Sequence, residues 1–523
     1  MKNMLKRICA LVFAAAFVLI LVTPATETKA QEGAKVGYSY AFDYWGDVQY
    51  SPDAYATSRV FTSVDLGIDT KLKLPQGLTV VDDMVYICDT GNDRILQLQR
   101  TGAAEITLVR VIDSFTGDTE VTTLHTPTDV AVSKFGNIFI ADKDNHRIIK
   151  LDKDLNLLQE FIKPTHETFD QTAEFLPSKI VCDSAERVYC IASTITKGLI
   201  KFEADGVFSG FIGANPVQYN FIDYVYKRFA TREQLEKMES FVPTEYDNLY
   251  MDYDGFIYVS TTHCSENGLR NGSENALRRL NLMGSDILIR NATGEACYPI
   301  GDIHMGNAGG YSGASLLCDI TTLDNDCYFA LDRNRGRIFA YDDQGRLLFA
   351  FGGVGNMDGY FRYPVAIDHM DYDDKHDLFI LDQFDCSITL MTPTEYGNAI
   401  FKAIEEFKDG KYEESCASWE NVISLNGNYD LAYIGIGRTL LREEKYKEAM
   451  EYFKLKYDRE NYSRAYVQYR KEWCEEHIVA IVLVILALIC IPLIIGRIKK
   501  VKFEIDTNDY LQRLEKNGKL NLK

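Results

Sequence analysis

The side chains with catalytic potential are scattered along this 523-residue chain rather than clustered. Hydrolysis or elimination assisted by a divalent ion needs Glu, Asn, Asp or His side chains converging on one cation, which polarises an oxygen or activates water. His125, His146, His166, His263, His304, His369 and His376 are spread out, with no two at the spacing of a metal-binding pair. Two acidic runs, Asp152-Lys-Asp-Leu-Asn156 and Asp371-Tyr-Asp-Asp-Lys-His-Asp377, have the oxygen density of calcium loops. Neither carries the glycine and distal glutamate of a complete loop, and both fall where hairpin turns are expected. No Gly-x-Ser-x-Gly elbow and no Cys/His nucleophile arrangement occurs. The sequence thus assigns no catalytic residue, no metal ligand and no cofactor, calcium in an acidic turn being the one ion left open. Chemistry would require a site assembled across distant segments.

A different set of polar residues recurs at fixed intervals. Asp89, Asn92 and Arg94 reappear 53 residues on as Asp142, Asn145 and Arg147, while Asp332 and Asp382 lie 50 apart. Each follows a short apolar run of strand length, as in Ile138-Phe-Ile-Ala-Asp142. Asp and Asn side chains fix tight turns by bonding nearby backbone, and the Arg can reach back to the Asp across the hairpin. Pro177–Phe202 and Asn248–Leu282 are degenerate copies, with Ala192 and Ser260 replacing the Asp. Six units of about 50 residues, each with several strands, predict a six-bladed β-propeller over 31–395. The last unit supplies only three strands before the chain turns helical. The missing outer strand is expected from the aromatic stretch Gly37–Gly67, which ends in Arg59-Val-Phe-Thr-Ser-Val.

The aliphatic opening after Pro and the Asp-x-x-Asn-x-Arg-Ile turn resemble the NHL repeat. That resemblance implies an all-β propeller of NHL type in which these residues are structural. Two segments interrupt the pattern. Residues 217–242 read as a helical insertion (Asn220–Ala230, then Thr231 capping a second helix). The loop His263–Ala276, with Arg270, Arg278 and Arg279, is a cationic candidate for contact with an acidic partner. Gly306–Gly313 lacks the strand–helix context of a phosphate cradle and reads as a connector.

From Tyr396 the periodicity becomes helical. Tyr412 and Tyr446, like Trp419 and Phe453, stand 34 residues apart. The segment 396–476 therefore resembles tetratricopeptide repeats, and Tyr412, Trp419 and Tyr446 are candidate partner-binding positions. Lys2, Lys6 and Arg7 precede an apolar run to Val22 and a small-residue site at Thr28-Lys-Ala30, so residues 1–30 read as a secretory signal peptide. Residues 477–496 are almost all aliphatic and long enough to span a bilayer. Arg497, Lys499, Lys500 and Lys502 follow, which places the tail 497–523 in the cytoplasm and the rest outside.

A net charge of −20 argues against nucleic acid as a partner. The cysteines show no paired spacing, although Cys182 with Cys190, or Cys318 with Cys327, flank hairpin turns. The expectation is a membrane-anchored recognition scaffold outside the cytoplasmic membrane, binding a protein or ligand through the propeller and the helical repeats. The arrangement resembles anchored NHL-repeat proteins of Gram-positive bacteria, which implies components of a carbohydrate ABC transporter as partners. The alternative is an exported metal-dependent hydrolase or lyase of the gluconolactonase type.

Overall fold

The structure, a computed structural model, describes residues 38–43, 45–117, 121–166, 168–213, 245–290, 299–302 and 313–518. The signal peptide, the helical insertion at 217–242 and most of the Gly306–Gly313 connector lie outside them.

Six antiparallel sheets form a ring. The innermost strand of each blade is also its first: Gly77–Val81, Pro127–Val132, Pro177–Cys182, Asn248–Met251, Leu317–Thr322 and Pro364–Tyr372. These six pack against one another in chain order, and the sixth returns to the first. The second strands are apolar on both faces because each blade is sandwiched between two others: Ile138–Asp142 and Tyr328–Asp332 are buried at every residue. The core therefore lies between blades. Phe139 and Phe161 of the second blade, for example, share a cluster with Ile180, Cys190 and Phe202 of the third.

The corner after each second strand shows why the Asp recurs. Asp89 Oδ2 accepts from Asn92 Nδ2 at 2.8 Å and Arg94 Nε at 2.7 Å, while Oδ1 accepts from the Lys73 amide at 2.7 Å. Asp142 repeats the arrangement with Asn145, Arg147 and the His125 amide. The carboxylate thus ties the corner to the loop that enters the same blade. Asp332 and Asp382 hold the equivalent loops through the Leu316 amide and the Arg362 and Tyr363 amides. Four residues after each of these aspartates the backbone is left-handed: Asp93, His146, Gly336 and Cys386, with φ of 55°, 57°, 58° and 50°. At Gly336 a Cβ would also meet the Gly353 carbonyl at 2.7 Å, so only this copy requires glycine on both counts.

The ring closes with the strand Tyr55–Phe61, which pairs antiparallel with Ser387–Pro393 as the outer strand of the sixth blade. Upstream, Tyr40–Phe42 and Val48–Tyr50 extend the fifth blade beyond its outer strand Leu347–Gly352. Tyr40 is fully buried there, its hydroxyl bonded to Asp302 beside Arg337.

After the short helix α1 (Glu266–Arg270) come α2 (Glu395–Lys408), α3 (Tyr412–Leu425), α4 (Asp430–Arg442), α5 (Tyr446–Leu455), α6 (Arg459–Glu476) and α7 (Ile478–Lys516). The chain divides into two compact units, 1–432 and 433–523. The change from strand to helix at Tyr396 thus precedes the change of unit, because α2 packs on the propeller. Thr394 caps α2, and Gly397 allows it to approach the chain at Ala54, whose carbonyl oxygen a Cβ would meet at 2.2 Å. Phe401 sits edge-on to Phe329 and Phe349, and the Tyr429 hydroxyl donates to the Leu348 carbonyl at 3.0 Å. In the second unit, Gly437 lets α4 lie against Phe453 of α5. Helix α7 is long and apolar enough to cross a membrane. It continues without a break through the cationic flank at Arg497 to Lys502 and ends at Lys516. All cysteines among the described residues are free, including Cys182, Cys190, Cys318 and Cys327.

Candidate functional site

Polar side chains converge where the inner strands meet. One repeat position, thirteen residues before the corner Asp or its replacement, carries Asp129, Lys179 and Asp319 in the second, third and fifth blades. The sixth blade contributes Asp368 and His369, and the fourth contributes Asn248. All six are buried or nearly so.

Each carboxylate accepts a backbone N–H from the following blade. Asp129 Oδ2 takes the Ile180 amide at 2.9 Å, Asp319 Oδ2 the Ile367 amide at 2.7 Å, and Asp368 Oδ2 the Val80 amide at 2.7 Å. The remaining oxygens are also engaged. Asp319 Oδ1 accepts from Asn248 Nδ2 and from the Ile320 amide, and Asp368 Oδ1 accepts from Thr321 Oγ1 at 2.9 Å. Since the Thr321 hydroxyl donates there, its oxygen accepts from His369 Nδ1 at 2.8 Å, and His369 Nε2 accepts from the Tyr253 hydroxyl at 3.1 Å. Lys179 Nζ lies 3.7 Å from Asp129 Oδ1 and supplies the positive charge among these acids. Burial works against its ammonium, yet Asp129 and Asp319 hold its pKa above the usual lysine value.

The arrangement is an inter-blade clasp. A divalent ion would need carboxylate lone pairs turned away from protein donors, and here they are directed at amides of the next blade, with an ammonium supplying the balancing charge. The inner strands therefore do not fit a resident metal.

Burial pushes Asp319 up to about 7, against the opposing influence of Lys179 and two backbone amides. Its folded pKa thus lies above the ordinary value of 3.8, so the folded state holds a proton that the unfolded state has released. This contribution to stability is complete below about pH 4, declines as pH rises toward 7, and is flat beyond. We expect Asp319→Asn to be less stable than wild type by about 1–3 kcal/mol, because an amide NH2 then faces the Ile367 N–H. Its decline in stability between pH 5 and pH 8 will nevertheless be shallower, as read by urea unfolding across that range. An unchanged slope would show that Asp319 titrates normally.

The sequence-predicted site residues are distributed as follows. Asp89, Asn92, Arg94, Asp142, Asn145, Arg147, Asp332 and Asp382 occupy the blade corners described above. Arg270 pairs with Glu266 within α1 at 2.8 Å. Arg278 lies beside the Tyr246 phenol, and Arg279 donates to Asp252 at 2.7 Å while stacking over Phe256. The three arginines therefore do not converge. Arg278 and Arg279 are consecutive on the strand Leu277–Leu280 and point to opposite faces of their blade. Trp419 is buried, while Tyr412 and Tyr446 are half-buried at the first residues of α3 and α5. Of the acidic runs, Asp152 closes a local turn by accepting from the Asp154 and Asn156 amides. Asp371–Asp377 forms a hairpin in which Asp371 pairs with His376. The inner-strand residues Asp129, Lys179 and Asp319 are not among the sequence expectations, although their shared offset from the corner is visible in the sequence.

No protein-family model and no curated protein sequence matches the chain. Among solved structures, it is similar to a streptogramin B lyase, with TM-score 0.37 and 12% identity over 66% of this chain and 100% of that one. It is similar to virginiamycin B lyase from Staphylococcus aureus, with TM-score 0.38 and 11% identity over 64% of this chain and 98% of that one. It is also similar to a protein assigned as a gluconolactonase, with TM-score 0.36 and 10% identity over 66% of this chain and 94% of that one.

Proposed function

We propose that this chain is a membrane-anchored recognition scaffold. Residues 1–30 direct export, the propeller and helical region lie outside the cytoplasmic membrane, and α7 anchors them with its cationic flank inside. The carrying observation is the inner-strand clasp: the polar groups that a propeller enzyme would turn toward substrate are bonded to neighbouring blades.

What remains available is the rim of turns joining first to second strands. Asp82, Asp83, Asp254, Asp324, Asp371, Asp373 and Asp374 are exposed there. In a chain of net charge −20, this rim favours a partner that presents a basic surface. The sequence resemblance supports components of a carbohydrate ABC transporter as that partner, with the repeats of 396–476 as a second contact.

The test is cross-linking in intact cells, followed by detergent extraction and identification of what co-purifies. The comparison is a variant with Asp82, Asp83, Asp373 and Asp374 each replaced by Asn, which tolerates the left-handed φ of 52°, 49° and 56° at Asp82, Asp373 and Asp374. We expect one membrane complex with the wild type and at least tenfold less of it with the variant at equal folded yield. No complex with the wild type would overturn the scaffold reading, and equal capture by both would remove the rim from it.

A further inference from the structure

A second polar cluster lies outside the clasp, where the propeller meets α2 within the first compact unit. Asp324 stands in the turn between the first two strands of the fifth blade, His376 in the hairpin of the sixth, and Glu405 on α2. One ligand atom from each falls within 4.8 Å of the others. We propose that Asp324, His376 and Glu405 bind a divalent transition-metal ion of the zinc type, pinning two blades and the first helix of the helical region together.

The donor set is one imidazole nitrogen and two carboxylate oxygens, supplied by three separate elements, and it suits zinc with a fourth position left for water. His376 is oriented as a ligand would be. Its Nδ1 is 2.6 Å from Asp371 Oδ1, so a carboxylate outside the set holds that nitrogen while Nε2 points at Glu405 Oε1, 3.0 Å away. Metal-bound imidazoles are held by a carboxylate on their other nitrogen in this way. Phe401 meets the His376 ring at 90° and fixes its plane. Glu405 follows Phe401 by one helical turn and so shares its face of α2.

The surroundings are acidic. The Asp324 carboxylate makes no hydrogen bond or ion pair with the described residues. Lys408, the neighbouring cation, is directed elsewhere: its Nζ donates to the Asp324 backbone carbonyl at 2.7 Å and pairs with Asp326 Oδ2 at 2.8 Å. An imidazolium clamped between Asp371 and Glu405 would satisfy His376 alone. It would not account for the third carboxylate brought alongside from another blade.

The experiment uses the full chain in detergent micelles, free of any purification tag and stripped with a chelator. Zinc is titrated by calorimetry, and thermal unfolding is recorded with and without it. We expect one zinc ion per chain and a higher unfolding temperature with zinc. Asp324→Asn, at a position without other side-chain bonds, will unfold like wild type without zinc yet bind it at least tenfold more weakly. Asp371→Asn will weaken binding roughly 10–100-fold, as loss of an orienting carboxylate does. Failure of the wild type to bind zinc stoichiometrically would overturn the proposal. So would equal binding by wild type and Asp324→Asn.

Discussion

Deleting residues 38–61 will open the propeller. The sixth blade then keeps three strands, and the edge of Ser387–Pro393 loses the seven-residue partner Tyr55–Phe61. The loss is more than a set of ladder bonds. Tyr55 is 3% exposed; it stacks on Phe351 at 5.0 Å, stands edge-on to Phe329, and donates its hydroxyl to the His376 carbonyl at 2.8 Å. One side chain thus touches the fifth blade, the sixth blade and, through Phe401, helix α2. Tyr55→Ala alone should cost about 3–5 kcal/mol, the range for emptying an aromatic site in a core. The deletion should cost more and leave an unpaired apolar edge that promotes association. Urea unfolding measures the first effect and light scattering of the purified chain the second. A synthetic peptide spanning residues 52–62 should restore part of the lost stability to the deletion variant, because the edge it would pair with is still present. A deletion variant as stable and monodisperse as wild type would show that the ring does not depend on this strand.

The six-bladed ring was legible because its signals are local and repeated. A short apolar run and its corner Asp lie within a few residues of each other, and their recurrence every 50–53 residues makes the repeats reinforce one another. The helical region and the apolar α7 were legible for the same reason. Contacts between distant segments were not. Asp302 and Tyr40 are separated by 262 residues, and nothing near Tyr40 announces a strand added to the fifth blade. The cationic cluster at Arg270, Arg278 and Arg279 is the opposite case. Proximity in sequence suggested one surface, whereas strand alternation and local carboxylates divide it. The histidine at the propeller–helix junction was legible in part. Asp371–Asp377 stood out as an acidic run, but its juxtaposition with Asp324 and Glu405 depends on how α2 returns across two blades.

Ring closure has a second component that should be as costly to remove. Arg100, on the third strand of the first blade, reaches Asp377 on the second strand of the sixth, with Nη2 2.6 Å from Oδ2. Their side chains are 1% and 2% exposed, and the guanidinium lies 3.9 Å from the centre of the Tyr372 ring. Arg100 also donates to the Gly102 and Ala103 carbonyls at the end of its own strand, where the pairing register shifts. The pair is incompletely satisfied, since Arg100 Nη1 and Asp377 Oδ1 find no partner among the described residues. Desolvating both ions therefore offsets much of their attraction, and the pair adds little net stability over an apolar one. Removing one partner is different, because the other is left as an uncompensated buried charge. Arg100→Met should cost about 3–5 kcal/mol. Adding Asp377→Leu to it should recover most of that loss, since methionine and leucine can fill the space without a charge to desolvate. A double-mutant cycle by urea unfolding measures this directly. If the double variant loses the sum of the two single losses, the residues are uncoupled, and each is held by its local contacts rather than by the junction between first and last blades.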